Sequence, residues 1–181
     1  MSAAQTQAHH AAPEGVLDKP APDDDGAIDL LLWSRFFSPM LDDRERAEVF
    51  SALGLGSFET LAGDYWGTFH LGAPQSPVTV ILHAELQLDG GDVREDLVRV
   101  MEHLQLDWAA APLPPDHLAV VLELLAVSFE QEEPVLQHGL ITRWLLPWAT
   151  QVGQRLEGTA WQPVLARLAD DLRQCPAPDA S

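Results

Sequence analysis

The sequence predicts an all-α, single-domain multi-helix bundle, and three observations carry that expectation. Apolar residues recur at spacings of three and four from residue 28 almost to the C-terminus. The one β-prone run, Val78 to Leu82, has no second strand to pair with and is read as helix or extended chain. The chain has 181 residues, 46% of them apolar, which is enough for one sizeable core.

Residues 1–26 hold almost no large apolar side chains, carry Pro13, Pro20 and Pro22, and end in Asp23-Asp24-Asp25-Gly26. Such a segment cannot offset the entropy of ordering by burial and is read as a disordered acidic tail. The helical domain then runs over 27–175, and 176–181, with Pro176 and Pro178, is read as a disordered end.

The first helix starts near Ile28, with Ile28, Leu31, Leu32 and Phe36 on one stripe and Leu30, Trp33 and Phe37 on a second, until Pro39 closes it. Asp42 and Asp43 cap a second helix bearing Ala47, Phe50 and Leu53, which Gly54-Leu55-Gly56 stops. A third covers Phe58 to Phe69, and the Gly72 to Pro77 stretch forces a loop. Leu88-Asp89-Gly90-Gly91 reads as a turn, after which Val93, Leu97, Val100, Met101 and Leu104 mark an amphipathic helix. Ala109 to Pro115 is a Pro-interrupted linker. Asp116 then opens the most hydrophobic and central helix, through Leu118, Val121, Leu122, Leu125 and Phe129. After Pro134, Leu136, Leu140 and Trp144 recur every four residues until Pro147 kinks the helix or begins a new one. Trp161, Val164, Leu165, Leu168 and Leu172 define the last helix.

Composition excludes several functions. The net charge of −18 repels phosphate backbones and anionic lipid, so neither nucleic acid nor a membrane surface is an expected partner. The apolar runs are too short to cross a bilayer, and the N-terminus has no secretory signal, which places the protein in the cytoplasm. Cys175 is the single cysteine, so no internal disulfide forms. Phosphate-loop, dinucleotide, nucleophile-elbow and His-Glu-x-x-His motifs are all absent. The histidines at 70, 83, 103, 117 and 138 have no ligand spacing, so no enzyme activity, metal or cofactor is expected.

Three segments carry a family likeness. Leu113-Pro114-Pro115-Asp116-His117-Leu118, continuing through Glu123 and Leu124, resembles the Pro-x-Asp-His-Leu signature of the TorD/DmsD chaperones. Asp64-Tyr65-Trp66-Gly67-Thr68-Phe69-His70, followed by Gly72, Pro74 and Pro77, resembles that family's aromatic stretch and proline loop. Trp144-Leu145-Leu146-Pro147-Trp148 is similar to its Leu-Leu-Pro-Trp run. Val121, where the family commonly has Glu, and Val78-Thr79 in place of Glu-Ser mark a divergent member.

The resemblance implies a helical chaperone that binds the twin-arginine leader and apoprotein of a DMSO-reductase-family molybdoenzyme catalytic subunit. Such a chaperone assists cofactor insertion and delays export. Some members have been associated with guanine nucleotides, but no phosphate loop is present here. A leader combines arginines with an apolar stretch, and an acidic chain with aromatic walls suits it. The residues expected at such a groove are Asp116, which is also a good N-cap, and His117, read as partly exposed one position inside the helix. Trp66 turns away from the face shared by Tyr65 and Phe69, whose spacing is that of core residues, and Pro74 and Pro77 shape the adjoining loop. Glu123, the one charge within the central helix, is either paired or lines a cleft. The chain is a monomer or a domain-swapped dimer through the linker, and a helical adaptor without a leader-peptide role is the alternative.

Overall fold

A computed structural model describes residues 24–72, 76–109 and 112–175. Among them the chain forms α1 (Asp24–Phe37), α2 (Asp43–Ala52), α3 (Glu59–Phe69), a single-turn α4 (Leu82–Leu86) and α5 (Gly90–His103). The second half holds α6 (Leu118–Glu130), α7 (Pro134–Leu140), α8 (Leu146–Arg155) and α9 (Gln162–Gln174), and no strand occurs among the described residues. The expected all-α bundle is what the chain adopts. Helix α1 begins inside the stretch read as tail; residues 1–23 and 176–181 lie outside the described part.

α1 packs along α6, and α8 packs along α9. The two stripes read on α1 are not equivalent. Leu30, Trp33, Phe36 and Phe37 are buried, while Ile28 is 54% exposed. Trp33, Phe36 and Phe37 open an aromatic core that continues through Phe50, Phe58, Tyr65, Phe69, Trp148 and Trp161, mostly in edge-to-face contacts. Two polar ties fix the depth of α1. The Ser34 hydroxyl donates to Ala119 O (2.7 Å), and the Trp33 indole donates to the Asp171 carboxylate (2.8 Å).

Local chemistry sets most boundaries. Asp42 caps α2 in a capping box with Glu45, and Gly54, at φ 71°, ends that helix with Leu55 N–H donating back to Phe50 O. The segment read as a turn at Leu88–Gly91 is instead the start of α5. The Asp89 carboxylate accepts from Gly91 N–H and Asp92 N–H, so the two glycines belong to the helix. Between α7 and α8 the backbone widens into a π-turn, Ile141–Leu145. Pro147 has no N–H to continue the ladder, and Leu146 N–H reaches five residues back to Ile141 O, so Pro147 both disturbs one helix and sits in the first turn of the next.

The β-prone segment is extended up to Ile81, and its partner is the entry to α6. Ile81 bridges antiparallel to His117, with Leu82 N–H donating to Asp116 O (2.9 Å) and Leu118 N–H to Val80 O (2.7 Å). This pairing carries α4 to the start of the central helix and positions the site.

Candidate functional site

The residue that caps α6 is His117, not Asp116. Its Nδ1 accepts from Ala119 N–H (3.2 Å), which leaves the ring proton on Nε2. The expectation of a partly exposed ring is overturned, because His117 is only 4% exposed. The strand-like pairing of its own backbone with Ile81 turns the imidazole inward.

Asp116, one residue earlier, is fully buried and points to the other side. Its carboxylate accepts from Arg94 Nε (2.8 Å) on α5 and from His83 Nδ1 on α4. Burial alone would push this carboxyl up, but the hydrogen bonds and charges of Arg94 and His83 hold it below the ordinary aspartate value. Asp116 therefore fastens α4 and α5 to the head of α6, with no face of its own open to a ligand.

His117 is stacked nearly parallel to His70, with ring centroids 6.3 Å apart and 15° between planes. His70 Nε2 lies 3.2 Å from the Tyr65 hydroxyl, which donates to Phe36 O (2.8 Å) and so accepts from His70. Trp66 flanks the same imidazole at 5.1 Å. Behind them Arg46 is buried, its guanidinium 3.9 Å over the Tyr65 ring and donating to the carbonyls of Phe36, Ser38 and Leu41 at the end of α1. Burial lowers the His70 and His117 pKa values to about 4, His70 being pushed further by His117 and Arg46 and His117 partly held up by Asp116. Both rings are neutral at pH 7. Burial also raises the Tyr65 hydroxyl and lowers Arg46.

These hydrogen bonds engage one nitrogen of each imidazole and the Tyr65 hydroxyl. His117 uses Nδ1 as a cap, His70 donates to Tyr65, and Tyr65 gives its proton to a carbonyl. Among the described residues no group of three His, Cys, Asp or Glu side chains is placed to hold a metal. The arrangement is built to present a shaped surface.

That surface is a cleft of about 580 Å³ between the C-terminus of α3, the loop at Ser76–Thr79 and α4, with His70, Pro77, Thr79, Glu85 and Arg155 in its lining. His70 thus links the cleft to His117, Tyr65 and Trp66, and Pro77 forms part of its wall. Tyr65 is wholly buried, in keeping with its shared face with Phe69, and Trp66 is half-buried at the margin. Pro74 lies outside the described residues. Glu123 corrects the reading made of it: it is exposed on α6, and no ion pair reaches it among the described residues, because that side of the helix faces solvent.

Sequence reasoning missed Arg46 and Glu85. Arg46 had a usable signal, since it shares the 46, 49, 50, 53 stripe with Val49, Phe50 and Leu53, all buried. Glu85 had none, since the side chains that pair with its carboxylate, Gln151 and Arg155, lie far along the chain on α8.

The nitrate reductase delta subunit family model matches residues 42–153. The chain belongs to this family. The matched region runs from the cap of α2 nearly to the end of α8 and takes in Tyr65, Trp66, His70, Asp116 and His117. A relative named chaperone protein TorD, from Actinobacillus succinogenes, is 31% identical over 116 residues. That match spans 60% of this chain and 58% of the relative, somewhat over half of each. A crystal structure of a candidate redox enzyme maturation protein from Archaeoglobus fulgidus superposes with a TM-score of 0.58. It is 17% identical and covers 90% of this chain and 100% of its own, so it shares the family's fold. The likeness to the TorD/DmsD chaperones carried by the three motifs is thereby shown.

Proposed function

We propose that this chain is a redox-enzyme maturation chaperone that binds the twin-arginine leader and apoprotein of a molybdopterin-dependent oxidoreductase catalytic subunit, in the cytoplasm. By holding both parts it assists cofactor insertion and prevents premature export. The observation that carries the reading is the cleft beside His70. Phe69 and His70 of the aromatic stretch and Pro77 of the proline loop line it, and His70 connects it to the buried His117 at the helix start. Its walls combine Phe69 with the Glu85 carboxylate, Trp66 flanks the lining residue His70, and a chain charge of −18 draws in a cationic segment. Among the described residues no helix is long and apolar enough to cross a membrane.

The test is a calorimetric titration of the full chain with a twin-arginine leader peptide of a molybdoenzyme catalytic subunit. A lysine-for-arginine peptide and the Trp66→Ala protein serve as controls. Saturable binding that both changes weaken is the expected result. No binding of leader, together with failure of the full-length apo-client to co-purify, would overturn the reading in favour of a helical adaptor with another partner.

A further inference from the structure

The floor of the cleft holds a carboxylate that is already desolvated and already paired with a guanidinium from the surface. Glu85 is 3% exposed. Its Oε2 accepts from Thr79 N–H (2.9 Å), and its Oε1 from Gln151 Nε2 (3.2 Å) and Arg155 Nη1 (2.7 Å). Arg155 is the last residue of α8 and its side chain is 42% exposed. The same Nη1 also donates to Pro77 O (3.2 Å), so two acceptors converge on one guanidinium nitrogen.

We infer that Arg155 is a resident stand-in for a client arginine: an incoming guanidinium displaces it from Glu85 and Pro77 O, and Arg155 moves into solvent. The inference rests on the leader-binding reading and names the carboxylate that receives one of the leader's arginines.

Three physical points support it. Burying a carboxylate is the costly part of such a pair, and here the fold has met that cost before any ligand arrives, since Thr79 and Gln151 hold Glu85 in place. Exchanging one guanidinium for another then changes little except which chain supplies it. A guanidinium is more weakly hydrated than an ammonium and so costs less to bring against a buried carboxylate, which favours arginine over lysine. Arg155, once released, remains at the C-terminal end of α8, where the helix dipole and the acidic chain favour a cation.

The experiment titrates wild-type, Arg155→Gln, Arg155→Lys and Glu85→Gln proteins with the twin-arginine leader and with the same peptide carrying citrulline at both arginines. Removing the resident should tighten the arginine peptide about threefold, as expected for an ion pair of this exposure, with Arg155→Lys intermediate. Glu85→Gln should weaken it at least about tenfold and narrow the preference for the arginine over the citrulline peptide by a similar factor. Equal or weaker binding by Arg155→Gln, or undiminished discrimination by Glu85→Gln, overturns the exchange while leaving leader binding intact. If Glu85→Gln fails to fold by thermal melting, the comparison of wild-type, Arg155→Gln and Arg155→Lys decides alone. If no protein binds the leader, the leader-binding part of the proposed function fails and the exchange is judged by arginine amide. A saturable shift of the Arg155 Nε resonance, against matched sodium chloride, keeps it, and no shift overturns it.

Discussion

The His117 imidazole lies 6.3 Å from that of His70, nearly parallel to it, and the two occupy buried ground in which neither carries a charge at neutral pH. This pair makes the fold sensitive to mild acid. The folded pKa of each, about 4, lies below the ordinary 6.5. Above pH 6.5 both states are neutral and the histidines contribute no pH dependence. As pH falls from 6.5 toward 4 the unfolded chain takes up protons that the folded chain refuses, so stability falls through that window and levels off below it. For buried His117 the loss reaches about 2 kcal/mol at pH 5. Urea unfolding at pH 7 and pH 5 measures it, and His117→Asn, which keeps a capping oxygen, should shrink the difference between the two.

Asp116 extends the same sensitivity to lower pH. Its carboxyl is held below the ordinary value, so its contribution is present above the usual aspartate range and is lost as pH falls through the folded value. Asp116→Asn removes a buried carboxylate from Arg94 and His83 at once. It should cost about 3 kcal/mol at pH 7, read by denaturant titration, and flatten the stability curve below pH 4.

Three helices end on residues other than glycine in the left-handed region: Gln87 (φ 56°), Gln105 (φ 60°) and Glu132 (φ 55°). Around Gln105 the bonds are those of a Schellman motif, with Leu106 N–H donating to Met101 O (2.9 Å). Gln105→Gly should therefore stabilise the protein by about 0.5–1 kcal/mol and raise Tm by a few degrees in thermal melts.

The core tryptophans divide by their indole N–H groups. Trp148 Nε1 donates to Thr79 O (2.8 Å), whereas Trp161 Nε1 is buried without a hydrogen-bond partner among the described residues. Trp161→Phe, which deletes an unsatisfied donor along with some apolar area, should fall within about 1 kcal/mol of wild type. Trp148→Phe leaves a carbonyl unpaired and should cost about 2–3 kcal/mol. Chemical denaturation of both variants gives the ordering.

What could be read in advance follows the reach of each signal. Asp42 and Gly54 act within a few residues of themselves, and both ends of α2 were legible. The stops at Gln105 and Glu132 were not, because a polar residue in the left-handed region looks like any other helical glutamine or glutamate. At the head of α6 the sequence pointed to Asp116 as the cap. The outcome depends on Arg94, 22 residues upstream, and His83 holding the Asp116 carboxylate, which leaves the cap to His117. The expectation that Tyr65, Trp66 and Pro77 share one groove rested on likeness to a family, and of the three only Pro77 lines the cleft. The residue that joins them, His70, stood within a quoted motif without a role of its own, since its neighbour His117 is 47 positions away.

The ties that seat α1 also set a schedule for the nascent chain. Ser34 bonds a carbonyl 85 residues downstream, and Trp33 waits for Asp171, 138 residues downstream. At ribosomal rates the face of α1 that packs on α6 waits roughly several seconds for that helix, and the Trp33 indole roughly ten seconds or more for Asp171. Final docking is consequently slower than in bundles whose neighbours in space are neighbours in sequence. During that interval the protein presents the same kind of exposed apolar helix that general holding factors grip.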